Sequence, residues 1–275
     1  MTDTFFSLLE KRVKDSSSLI CISLGPDIRN LPNPSVAFVL DFFLGLIRQT
    51  APYVAAYKLS PAYFEIFGSD YWVVLKQVVD AIHNESAQLG SIIPTILDVR
   101  HSDIGTAAQA YAKFAFENLN VHCITLNPHL GKDSVEPFTR NPERGVFLLA
   151  KTSNSGSMDI QNALVLPSGS DSPMPIYMYI AHLAQEWNVN NNIGIVVDAS
   201  HPKMMSMIRA SVPDMWFLTS GIDTQSAELE LSLKAGLRTD GNGMLVVLNS
   251  FVADGDMHAK FAKDLREKIL KFATI

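Results

Sequence analysis

Short apolar runs recur along the whole chain, with amphipathic stretches between them. The runs cover residues 19–24, 54–59, 93–99, 123–127, 146–152, 193–199, 215–219 and 244–249. They are rich in β-branched side chains and mostly continuous rather than alternating, which predicts strands buried on both faces of a parallel sheet. Helical spacing marks 36–48, 72–86, 105–118, 176–187, 204–210, 225–235 and 256–272. Eight strands alternating with helices predict an α/β fold, a closed (β/α)8 TIM barrel rather than an open doubly wound sheet. No composition shift, repeat or low-complexity tract sets off a second domain, so residues 1–275 are expected to form a single barrel domain. The stretch 166–175, rich in Ser and Pro, reads as a loop after the fifth strand, either a lid or an insertion.

Composition narrows the classes. With 47% apolar and 18% charged residues, the chain has the makings of a packed core and not of a disordered segment. Its 28 acidic against 22 basic side chains leave a net charge of −6, which offers nucleic acid no basic field. Cys21 and Cys123 both sit in apolar runs and read as reduced, buried small hydrophobes. No Cys or His pair has metal-ligand spacing, so no structural zinc is expected. The absence of a leader-like apolar segment or a membrane-length run makes an intracellular, cytoplasmic protein the default expectation.

In such barrels the chemistry lies at the C-terminal ends of the strands. Those positions here are Gly25, Lys58, Asp98 with Arg100 and Asp103, Asn127 with His129, then 151–154, Asp198, 220–225, and Asn249 with Ser250. The segment Asp98-x-Arg100-x-x-Asp103 is the most informative, because it puts alternating charges where an apolar strand meets the mouth. A plainer reading makes it a salt-bridged loop in which Asp103 caps the next helix. Asp198 reads equally as a mouth residue or a solvated loop acid. His83, His122, His182 and His258 read as helix or surface residues, Trp72, Trp187 and Trp216 as packing residues, and Met204, Met205 and Met207 as a helix packing face.

Several segments in one order resemble the orotidine 5'-monophosphate decarboxylase family, in its longer, protozoan-like subfamily. They are 55–65, 97–104, 126–138, 151–157 and 221–225. The resemblance implies a cofactor-free and metal-free decarboxylase working through a Lys-Asp-Lys-Asp charge array, the last Asp coming from the partner in a homodimer. The middle lysine protonates the carbanion left by carbon dioxide. By position the array is Lys58, Asp98, Arg100 and Asp103, and its central lysine is an arginine. The substrate-binding positions carried over are Gly25, Ser153, Asp223, Gln225 and Ser250.

Several of those positions depart from the family pattern. A guanidinium with a pKa above about 12 is a reluctant proton donor. Ser250 and Phe251 stand where the family has arginine and glycine for the phosphate, and Asp223 puts a carboxylate where phosphate approaches. Like charges about 4 Å apart at an effective dielectric near 20 repel by roughly 4 kcal/mol. Gly25 lacks the carboxylate that contacts ribose, with Asp27 nearby as a partial substitute; Thr106 is displaced from the family's threonine, and Asp198 replaces a glycine. These departures predict a barrel that has lost catalysis and serves as a structural, regulatory or assembly subunit, alone as a homodimer or with a paralogue in a heteromer. Two alternatives remain: an active decarboxylase with an atypical site, or a new ligand for the mouth using Lys58, His129, Asp198 and Asp223.

Overall fold

Each of the expected apolar runs is a strand. The computed structural model describes residues 4–25, 35–169, 171–221, 228–249 and 258–273. The barrel strands are β1 (Ile20–Leu24), β2 (Ala56–Leu59), β3 (Thr95–His101), β4 (Cys123–Leu126), β5 (Gly145–Leu149), β6 (Ile193–Asp198), β7 (Phe217–Ser220) and β8 (Met244–Leu248). All neighbours pair in parallel, and β8 closes onto β1 with Val246 opposite Ile20. β1, β2, β4, β6 and β8 are buried along their full length, which is why the sequence shows continuous apolar runs there. The stretch expected as a bare loop is tied at its base, where Leu164–Val165 pairs antiparallel with Met174–Pro175.

The main helices are α1 (Phe5–Ser16), α2 (Val36–Thr50), α3 (Tyr71–Leu89), α4 (Gly105–Lys113), α5 (Lys132–Thr139), α6 (Ile176–Trp187), α7 (Pro202–Ser211), α8 (Glu228–Gly236) and α9 (His258–Ile269). None of the described helices is long and apolar enough to cross a membrane. Cys21 and Cys123 are free thiols, both buried.

α1 forms the floor of the barrel, at the N-terminal ends of the strands. A capping box starts it, with Thr4 Oγ1 accepting from the Ser7 amide and Ser7 Oγ accepting from the Thr4 amide. Phe5, Leu9 and Val13 are fully buried, the spacing of one helical face. Phe6 stacks on Trp216 with ring centroids 5.9 Å apart, and Phe5 meets Phe147 edge-on. Gly145 opens β5 because a Cβ there would enter the Phe5 ring.

A second fastening lies nearby. Arg209, at the end of α7, is buried and has no carboxylate partner among the described residues. Its guanidinium instead donates to the carbonyls of Gly236, Met215 and Gly243 at 2.6–3.0 Å, and it lies 3.6 Å from the Phe217 ring centroid. It thus ties the ends of α7 and α8 to the starts of β7 and β8.

His122 is neither a helix nor an exposed surface residue. It immediately precedes β4, and its Nδ1 accepts from the Thr95 amide at 3.2 Å. A proton on Nδ1 would face that amide hydrogen. Burial, followed by the neighbouring His83 and Arg144, pulls the imidazole down to about 3. In the unfolded chain it titrates near 6.5 (approximately). Between those values the unfolded state binds one proton more than the folded state. The stability is therefore complete above about pH 6.5 and declines by about 1.4 kcal/mol per pH unit on acidification towards about pH 3. Urea unfolding between about pH 5 and pH 7 measures this slope. His122→Asn keeps an acceptor at the same place without the titration, and its slope is expected to be shallower than the native one.

Candidate active site

Lys58 and Asp98 meet at the mouth on adjacent strands. Lys58 of β2 lies in register with Ser23 of β1 and Ile96 of β3. Its ammonium donates to Asp98 Oδ2 at 2.6 Å and to Ser60 Oγ at 3.3 Å. Both side chains of the pair are less than a tenth exposed, at 9% and 8%. The other oxygen, Asp98 Oδ1, accepts from Thr125 Oγ1 of β4 at 2.8 Å and lies 3.4 Å from Arg100 Nε.

Strand periodicity alone does not bring Arg100 there. The β3–β4 register shifts between Leu97 and His101, and Arg100 takes a left-handed φ of +53°. Its amide donates to Thr125 Oγ1 at 3.1 Å. That conformation is uncommon for a residue with a Cβ. The Arg100 side chain is 55% exposed, so its guanidinium reaches past Asp98 towards solvent.

Burial works against a charge on Asp98. The charges of Lys58 and Arg100, with hydrogen bonds from Lys58 and Thr125, outweigh it and hold the carboxyl below the usual carboxylate range. Burial pushes the Cys21 thiol on β1 up to about 12, so it adds no charge to this balance at neutral pH. The local inventory is one ammonium, one guanidinium and one carboxylate.

Asp103 stands outside this network. Its Oδ1 accepts from the Ile104 amide at 2.8 Å, its one hydrogen bond among the described residues. Ile104, not Asp103, is the N-cap of α4, and no side chain caps that helix. The capping role read from the sequence is therefore corrected: the chain leaves the β3 bulge one residue further on than a cap at Asp103 requires.

A second polar group lies after β5, β6 and β7. Asp198 ends β6 at only 2% exposure, so it is not a solvated loop acid. Its Oδ1 accepts from the Ser200 amide at 3.1 Å and its Oδ2 from Ser200 Oγ at 2.7 Å, with His201 Nδ1 3.2 Å from Oδ2. Gly221 follows β7 at φ +79°, and a Cβ on it would stand 2.6 Å from Asp198 Oδ1 and 3.6 Å from Ser153 Cβ. Ser153, itself exposed, and Gly221 thus adjoin the Asp198 carboxylate. Lys151 is buried and donates to Ser157 Oγ at 2.9 Å and Asn162 Oδ1 at 3.0 Å; burial lowers its pKa, partly offset by the Asp198 charge.

At position 25 the absent side chain has a structural counterpart. A Cβ on Gly25 would come within 2.6 Å of Tyr63 Cδ2, so the Tyr63 ring takes the space beside it. His129 is exposed in the 3-10 turn Pro128–Leu130 that follows β4, its amide donating to Asn127 Oδ1. Asp223, Gln225 and Ser250, with Asp27 and Phe251, lie outside the described residues. Thr125 and Ser200 are not singled out by the sequence, which shows His201 only as the residue before Pro202 at a helix start, where α7 begins. For Thr125 a signal existed, a hydroxyl in an otherwise apolar strand two residues before Asn127.

Comparison with known proteins gives consistent results. A model of the orotidine 5'-phosphate decarboxylase / HUMPS family matches residues 18–243. The chain is 34% identical over 266 residues to the orotidine 5'-phosphate decarboxylase of Roseiflexus castenholzii, covering 95% of this chain and 93% of that one. Among solved structures, Leishmania donovani OMP decarboxylase superposes with a TM-score of 0.84 at 40% identity, covering 98% of each chain. The UMP synthase of the same organism superposes with a TM-score of 0.86 at 39% identity, covering 98% of this chain and 57% of that one.

Proposed function

Since the chain belongs to the orotidine 5'-phosphate decarboxylase / HUMPS family, we propose that its mouth is a decarboxylase site for orotidine 5'-monophosphate, yielding UMP and carbon dioxide. The observation that carries this reading is the buried Lys58–Asp98 pair at 2.6 Å, held at the C-terminal rim where barrel chemistry sits. The relatives named above, all decarboxylases or a UMP synthase, support it more directly than they support the loss of chemistry expected from the departures.

In this reading Asp98 is a fixed carboxylate facing the departing carboxylate, and the repulsion is relieved as carbon dioxide leaves. Lys58 keeps Asp98 ionised and oriented, at no reorganisation cost during the reaction. The C–C bond breaks, its electron pair stays on the pyrimidine carbon, and the Arg100 guanidinium stabilises that charge. The carbanion takes its proton from the Arg100 guanidinium, a poor donor yet a stronger acid than neutral water, and the half-exposed guanidinium recovers that proton from solvent. The chain acts as one barrel domain. Asp103, outside its own array, faces a second copy of the chain and completes that copy's site. The exposed Ile104 and Tyr111, at 57% and 38%, give such a contact apolar surface.

A second reading has one observation in its favour. Arg100 keeps the positive charge beside Asp98 but not a readily released proton, as expected of a barrel retained as a scaffold. Release of labelled carbon dioxide from carboxyl-labelled substrate separates the two. Turnover that disappears in Lys58→Ala is the expected result. No release from the native protein at saturating substrate establishes the scaffold reading instead.

A further inference from the structure

Thr125 touches both unusual features of the β3 rim. Its hydroxyl has one proton and two lone pairs. The proton goes to Asp98 Oδ1 at 2.8 Å, and a lone pair receives the Arg100 amide at 3.1 Å. The residue has no exposed surface, so water does not replace either bond. On Asp98, Lys58 takes Oδ2, and Oδ1 is left to Thr125 and the longer contact with Arg100 Nε. On Arg100, the same hydroxyl receives the amide at the point where the backbone turns left-handed.

We propose that Thr125 is a positioning residue for the decarboxylase site, fixing the orientation and charge of Asp98 and the left-handed turn that presents residue 100 to the substrate. The assignment rests on the decarboxylase reading for its purpose but not for its geometry. Its two effects are linked, because one hydroxyl makes both bonds: rotating it away from Asp98 also disturbs the acceptor offered to Arg100. Strands on both sides contribute the groups that face Asp98, namely Lys58 from β2, Arg100 from β3, Thr125 from β4 and the neutral Cys21 thiol from β1. Of these, Thr125 alone is an uncharged donor to the carboxylate among the described hydrogen bonds. Removing it leaves the charges in place and withdraws a bond that favours the ionised form.

Thr125→Val keeps the β-branched shape and removes the hydroxyl, whereas Thr125→Ser keeps the hydroxyl and removes the methyl. The Asp98 carboxyl, followed by 13C NMR in selectively labelled protein, is expected to titrate at higher pH in Thr125→Val, by roughly half a unit or more, and at the native position in Thr125→Ser. This readout needs no turnover. Where carbon dioxide release is measurable, the acid limb of kcat/KM moves up with the same pattern. Lower thermal stability in both variants with an unmoved Asp98 titration would mean a packing role only and overturns the proposal. A shifted titration in a protein without turnover sinks the decarboxylase reading and leaves Thr125 as the residue that sets the Asp98 charge.

Discussion

Arg100→Lys is expected to raise the rate of carbon dioxide release from orotidine 5'-monophosphate by roughly 100-fold or more, the lower range of what a positioned general acid contributes. Arginine and lysine side chains have the same reach as far as the fourth atom beyond Cα, where arginine places Nε and lysine its last methylene. In the native protein that atom is 3.4 Å from Asp98 Oδ1, with the rest of the guanidinium beyond it. Lysine therefore ends its chain within the array rather than past it. Its ammonium, with an ordinary pKa near 10.4 (approximately), gives up a proton more readily than guanidinium. The left-handed turn at position 100 is the same for both residues, because its hydrogen bond to Thr125 comes from the backbone amide. Single-turnover kinetics of the two proteins at equal substrate measure the effect. An unchanged rate, with substrate binding intact, means that proton delivery is not what limits this site.

Arg209→Leu is expected to lower the unfolding free energy by roughly 3 kcal/mol, or more if the site does not collapse around the shorter side chain. The leucine fills part of the space over Phe217 but donates no hydrogen bonds. Gly236 and Met215 carbonyls, which receive Arg209 at 2.7 and 2.6 Å, lose that donor inside the protein. The Gly243 carbonyl keeps the Phe217 amide as a partner and suffers less. Burial, and then the charge of Arg238, pulls the guanidinium down to about 9, so it is still protonated at neutral pH and its bonds are charge-assisted. Arg209→Lys retains a charge but only one donor centre in place of a planar fork, and recovers part of the loss. Equilibrium urea unfolding of the three proteins provides the comparison. Equal midpoints for native and Arg209→Leu would show that water reaches those carbonyls.

The barrel was readable because its signal is redundant. Eight strands carry the same instruction, and a shift in any one boundary does not change the closure. β3 shows where that reading ends. Its expected boundary at Val99 gives way to a strand that continues to His101 through a register shift. Nothing in a two-residue alternation announces a left-handed arginine, because the turn depends on a hydroxyl from the next strand. Asp98 was legible as a mouth residue from its place at the end of an apolar run. The burial of Asp198 was not, since a carboxylate reads alike whether water or a serine satisfies it. Ser200 settles the matter two residues later by supplying both an amide and a hydroxyl. The opening helix went unread although Phe5, Leu9 and Val13 lie on one helical face, behind a Thr that caps it. His122 likewise gave no local sign of its partner, because the Thr95 amide that it accepts from lies on the neighbouring strand.

The helical floor also decides where neighbours attach. Thr4 precedes α1 on the underside, and Arg266 near the end of α9 donates to the Ser16 carbonyl at the close of α1, so the two ends of the described chain share that side. A segment joined at either described end would therefore set out from the face opposite the mouth, leaving the rim of the barrel clear.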